Sequence, residues 1–101
     1  MVSREDVIAR LKSVEPDLRA IGVGALYLFG SHARGEARDG SDVDVFVDPA
    51  SDEDFGFLNF MDAYAAIQKA VGPGIQVGYS TRDGLSRHIR RSVEREATRL
   101  F

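Results

Sequence analysis

The sequence predicts an α+β chain with a small mixed sheet, placed mostly centrally, and helices packed mainly on one side of it. Three observations carry that reading. Segments of strand character lie at 24–29, 41–48 and 75–79, the middle one alternating valine with aspartate, and glycine, serine and proline bound them. Segments with apolar residues at helical spacing precede the first run, separate the last two, and close the chain. In the middle run Val43, Val45 and Val47 share one face and Asp42, Asp44 and Phe46 the other, so helices bury the valine side and the aspartate side stays open.

Taken in order, Ser3 is placed to cap a first helix, with Asp6 three residues on as an imperfect capping box. Val7, Ile8, Leu11 and Val14 then recur at helical spacing. Pro16 lacks an amide hydrogen and clashes with the preceding turn, so it kinks or restarts the helix. Leu18 and Ile21 extend the apolar face, and Gly22 ends it. Residues 24–29 are apolar throughout, which suits a central strand. A Gly30-Ser31 break and a short polar turn of helix lead to the second strand, resuming at Ser41, and Pro49 stops its pairing.

Ser51-Asp52-Glu53-Asp54 supply a cap and first-turn acids for a long helix. Leu58, Met61, Tyr64, Ala65, Gln68 and Val71 lie along one stripe of it, with Phe57 and Phe60 beside them. These aromatics serve a core or a partner contact, which leaves homo-oligomerisation open. Gly72-Pro73-Gly74 closes the helix, and 75–79 form a third strand. A last helix starts near Asp83 or Ser86 and runs to Leu100, with Asp83 placed as its N-cap. Leu85, Ile89, Val93 and Ala97 occupy one side, and Arg87, Arg90, Arg91, Arg95 and Arg99 the other. The arginine side reads as a solvated face with Glu94 and Glu96 interspersed, docking on an acidic partner being the alternative.

The stretch 26–48 gathers the chemistry. Asp42 and Asp44 stand side by side on one strand face, where they raise each other's pKa unless a cation sits between them. Mg²⁺ meets that need, because it takes one or two protein carboxylates and completes its shell with water and substrate phosphate. At Gly30-Ser31 the missing Cβ lets backbone approach a ligand, and the helix that follows aims free N–H groups outward, which suits phosphate. A calcium loop built from Asp39, Ser41 and Asp44 is the competing reading, but the valines demand a strand and the required glycine and glutamate are missing. Arg34 contacts phosphate or pairs with an acid such as Glu36 or Asp39. His32 and His88 read as surface residues.

Gly30-Ser31, ten intervening residues and Asp42-Val43-Asp44 resemble the GS-x10-DxD signature of the DNA polymerase beta-like nucleotidyltransferases. The longer string GSHARGEARDGSDVDVFV is similar to the minimal nucleotidyltransferase (MNT) subfamily, with looser similarity over nearly the whole chain. The resemblance implies a nucleotidyltransferase fold of the polymerase beta palm type over residues 1–101. It also implies Mg²⁺ held by Asp42 and Asp44 as catalytic residues, and an NTP such as ATP bound at Gly30, Ser31 and Arg34. A nucleoside monophosphate would pass to a hydroxyl acceptor, and a HEPN-domain protein would be the partner in a toxin-antitoxin pair, with this chain as the antitoxin. Where the family places a third carboxylate, this chain has Gly78, and that departure motivates the alternative, a degenerate form acting by protein contact. Asp48, about 13 Å from Asp44 at strand rise, and Asp83 are poor substitutes.

Composition narrows the classes. A chain of 101 residues builds one core but no separate substrate domain. Its net charge of −3 argues against nucleic-acid binding through the C-terminal arginines. The absence of cysteine removes disulfides and thiolate metal sites. Acidic residues near the start and the lack of an apolar run of ~20 residues point to a cytoplasmic protein without a membrane span.

Overall fold

The computed structural model describes residues 2–101. Helix α1 (Arg4–Lys12) opens with the expected capping box: Ser3 Oγ accepts from the Asp6 amide at 3.1 Å, and Asp6 accepts from the Ser3 amide at 3.4 Å. Pro16 restarts the chain as α2 (Glu15–Ile21), and Gly22 ends it at φ +117°. Strand β1 (Val23–Phe29), the short helix α3 (Gly30–Arg34) and β2 (Val43–Pro49) follow, then α4 (Phe57–Val71), β3 (Val77–Thr81), α5 (Arg87–Glu96) and β4 (Thr98–Arg99).

The four strands form one mixed sheet in the order β3-β2-β1-β4, in which β2 runs antiparallel to β1 and parallel to β3. Val45 and Val47 oppose Leu28 and Leu26, so these side chains share a face. All are fully buried and join Val7, Leu11 and Leu18 of α1 and α2, and Ala63, Ile67 and Val71 of α4, in the main core. Helices therefore sit mainly on one side of the sheet, as the valine alternation requires.

The other side is less open than the alternation suggests. Tyr27 stacks on Phe46 across the β1–β2 pair at 4.6 Å, and Leu85, Val93 and Ala97 close over them to form a second, smaller core. Phe46 is completely buried there. An aromatic residue on the aspartate face needed a cover, and α5 supplies it.

Several boundaries differ from expectation. The acidic run 51–54 is a turn, and α4 starts only at Phe57, with the Gly56 amide donating to Asn59 Oδ1 at 3.2 Å. Its inward stripe runs through Ala63, Ile67 and Val71, leaving Phe57 and Leu58 each 75% exposed. Small Ala63 and a single Ile67 set that phase, which the larger Leu58 and Met61 obscure in the sequence. Strand β3 lies two residues later than 75–79, and Pro49 ends β2 while still paired with Val23. Ser86 rather than Asp83 caps α5, its hydroxyl accepting from the His88 amide. The last helix stops at Glu96, and Thr98 and Arg99 turn extended to pair with Leu28 and Tyr27. Among the described residues, no helix is long and apolar enough to cross a membrane.

Candidate functional site

The loop between β1 and β2 brings the sequence-predicted residues to one end of the sheet. Gly30 takes φ +75° immediately after β1, and Gly35 at φ +72° ends α3. Ser41 ties off the return, its hydroxyl accepting from the Arg38 amide at 2.8 Å. Asp42 lies exposed one residue before β2, and Asp44 is the second residue of the strand, half-buried.

Register places Asp44 opposite Phe29 on β1 and beside Gly78 on β3. Its carboxylate then fills space that side chains would otherwise claim. A Cβ added at Gly30 would collide with one Asp44 oxygen, and a Cβ added at Gly78 with the other. Gly30 is thus required twice, by its left-handed backbone and by the Asp44 carboxylate against it. At Gly78, where the resemblance implies a third carboxylate, the Asp44 carboxylate occupies the room that any side chain would need.

The electrostatics of the pair are unbalanced. Burial pushes the Asp44 carboxyl above its ordinary pKa and neighbouring Asp42 pushes it further; His32 and Arg34 pull the other way, and Glu96 adds a small upward push. Among the described residues, neither Asp42 nor Asp44 forms a salt bridge. Two adjacent hard oxygen donors short of positive charge fit a divalent cation such as Mg²⁺ and do not suit a soft metal. No group of three or more His, Cys, Asp or Glu comes together among those residues. Asp42 and Asp44 are the residues there that could hold such an ion, with a ligand's own oxygens needed to complete its shell.

Arg34 settles on acids. Its Nη1 lies 3.2 and 3.1 Å from the two Glu96 oxygens, and its Nε lies 3.5 Å from Glu36. Glu36 was one of its expected partners, Asp39 is not used, and Glu96 was not anticipated. The same Glu96 carboxylate accepts from the Gly30 amide at 3.1 Å. No sequence signal marks Glu96, which lies far along the chain in a helix that reads as a solvated face.

His32 also departs from expectation. It is 4% exposed rather than at the surface, and its Nδ1 has no hydrogen-bond partner. The third position of the short α3 carries it inward beneath the turn. His88 is exposed as expected. Of the rejected substitutes, Asp48 is held by Arg82 through two contacts of 2.9 and 2.8 Å, and Asp83 sits exposed in the turn before α5.

Residues 5–100 match the nucleotidyltransferase domain family. The chain is 31% identical over 97 residues to the protein adenylyltransferase MntA of Thermococcus cleftensis, covering 95% of this chain and 94% of that protein. It superposes on a structure reported as a minimal nucleotidyltransferase with a TM-score of 0.77 and 30% identity, over 95% of this chain and 94% of the other. A chain from a toxin-antitoxin crystal structure with AMP-PNP shares the fold at a TM-score of 0.64 and 19% identity, covering 97% of this chain and 72% of that one.

Proposed function

From the premise that this chain belongs to the nucleotidyltransferase domain family, and within it to the minimal nucleotidyltransferases, we propose that it transfers a nucleoside monophosphate from a Mg²⁺-bound NTP, ATP by preference, to a hydroxyl of a partner protein. The observation that carries this reading is Asp44, a half-buried carboxylate beside Asp42 that the fold leaves without a salt-bridge partner among the described residues. A carboxylate kept short of positive charge costs stability unless a ligand supplies it. The domain proposed spans 1–101, and its proposed setting is the cytoplasm.

In this reading Asp42 and Asp44 hold Mg²⁺, which when bound offsets charge on the phosphates and on the departing pyrophosphate. Gly30 holds the turn in its left-handed conformation and keeps Asp44 against it, its amide faces the phosphate, and the Ser31 hydroxyl donates to a phosphate oxygen. Arg34 stands at the edge of the same turn as a second phosphate donor. The acceptor oxygen bonds to the α-phosphorus, the bond to the pyrophosphate oxygen breaks, and the hydroxyl proton leaves to solvent. Positioning supplies most of the acceleration in such a scheme.

The name of the MntA relative, a protein adenylyltransferase, and the AMP-PNP in the toxin-antitoxin structure favour adenylate as the group moved. The proposed acceptor is a HEPN-domain toxin, with this chain as its antitoxin. A second reading, a protein-binding module that no longer turns over, is favoured by Gly78 and by the way Asp44 occupies the space beside it.

Incubation with a candidate toxin and α-labelled ATP tests both. Label that appears on the partner and is lost in Asp42→Asn supports transfer. A stable complex with no label supports the second reading, and neither complex nor label overturns both.

A further inference from the structure

Two of the groups assigned to phosphate, Gly30 and Arg34, already hold an anion, and it belongs to the protein. The carboxylate of Glu96, the last residue of α5, accepts from the Gly30 amide and lies within hydrogen-bond distance of Arg34 Nη1 through both of its oxygens. Hydrogen bonds to ionised groups are the strong ones, and a guanidinium recognises carboxylate and phosphate oxygens alike. A phosphate bound at the turn that opens α3 would need the same Gly30 N–H.

Resting on the nucleotide reading above, we propose that Glu96 is an internal phosphate mimic: its carboxylate holds Gly30 and Arg34 in the free protein, and a triphosphate binds by displacing it from both. The contacts favour an exchangeable plug over a permanent brace. The Glu96 side chain is 31% exposed and lies where α5 gives way to extended backbone at Ala97, so its carboxylate can swing into water while Val93 stays packed. Arg34 is 42% exposed and retains Glu36 within reach when Glu96 leaves. Glu96 also adds to the negative charge felt by Asp44, so while in place it opposes a second anion.

Glu96 is not the lost third carboxylate in another position, because it is not gathered with Asp42 and Asp44 into a metal-holding cluster among the described residues. Its effect on binding is competitive. Apparent affinity falls by the fraction of molecules in which the donors are occupied, so removing the resident charge tightens binding.

Calorimetric binding of inorganic tripolyphosphate and of a non-hydrolysable ATP analogue, each with Mg²⁺, tests the proposal in wild type, Glu96→Gln and Glu96→Asp. Glutamine keeps a neutral oxygen for the Gly30 amide, and aspartate retracts the charge by one methylene. Both variants are expected to bind tripolyphosphate more tightly, Glu96→Gln by about tenfold, equivalent to one charge-assisted contact. The Gly30 amide resonance of the wild type should shift on tripolyphosphate addition in the direction it shifts in ligand-free Glu96→Gln. Should Glu96→Gln fail to fold, Glu96→Asp carries the comparison.

Unchanged or weaker binding in the variants overturns the mimic. If the wild type still binds the ATP analogue and loses it in Asp42→Asn, the nucleotide site stands without it. If no form binds either probe, both readings fall together.

Discussion

Strand β2 carries an aspartate on the same face near each end, and the fold treats the two in opposite ways. At one end Asp48 receives two contacts from Arg82, at 2.9 and 2.8 Å, and the same guanidinium reaches Glu94 at 2.6 Å. The arginine also lies over the Tyr27 and Phe46 rings, 4.9 and 5.0 Å from their centres. At the other end Asp44 is wedged between two glycines, next to a second carboxylate, with no salt bridge among the described residues. Phe46 lies between them, sealed under α5.

The difference separates a charge the fold uses from one it sets aside. Asp48 has what a half-buried carboxylate needs, a planar cation with matched geometry and an apolar platform behind it. Asp44 has the burial without the cation, so its cost is left standing. Such costs gather at sites that wait for a ligand. The Arg82 end should therefore matter to stability and be silent in nucleotide binding, and the Asp44 end should behave the other way round.

The largest stability effect is expected from Arg82→Gln. It uncouples Asp48 and Glu94 and uncovers Tyr27 and Phe46, and should lower stability by about 1–2 kcal/mol, a range held down because the groups are about a third exposed. Urea melts measure the loss, and nucleotide affinity should not change. A change in affinity with no change in stability would break the comparison at its structural end.

Gly78→Asp ranks next. The new side chain must displace the Asp44 carboxylate and adds a third negative charge, so the metal-free protein should lose about 1 kcal/mol. Mg²⁺ should recover more thermal stability in this variant than in the wild type. A variant as stable as the wild type without metal would mean that Asp44 does not occupy that space.

The smallest effect has the most informative sign. Asp44 is raised above the ordinary 3.8 by burial and then by Asp42, so the folded protein holds this proton more tightly than the unfolded chain. Its contribution to stability is fully present below the unfolded value and is lost as pH rises through the folded one, leaving a penalty at neutral pH. Asp44→Asn should therefore melt slightly higher than the wild type at pH 7, and the gap should close as pH approaches 4. Melting curves across that window check it, and a lower melting temperature at pH 7 would show that the carboxylate is structural after all.

How much of this was legible in the sequence follows from how local each signal is. The capping box at Ser3, the stop at Gly22 and the valine face of β2 depend on residues a few positions apart, and all formed as the pattern requires. The Gly30-Ser31 turn and Asp44 came to one end of the sheet because consecutive antiparallel strands bring the end of β1 beside the start of β2. Asp42, expected on the strand face from Ser41 onward, instead lies just before β2, which starts at Val43. The parts that failed depend on distant chain. The cover over Phe46, the inward turn of His32 and the Glu96 carboxylate at Gly30 arise from where α5 and α3 pack, which no local pattern encodes. The start of α4 was misplaced because four polar residues with good capping chemistry precede a glycine whose amide is capped by Asn59 instead.

The central claim is that Asp42 and Asp44 await a metal-bound nucleotide, and the most direct test is calorimetric titration of a non-hydrolysable ATP analogue with and without Mg²⁺. The account predicts binding that requires Mg²⁺, disappears in Asp42→Asn and survives in Arg82→Gln. Binding that ignores Mg²⁺ or persists in Asp42→Asn, or no binding under any condition, would contradict it.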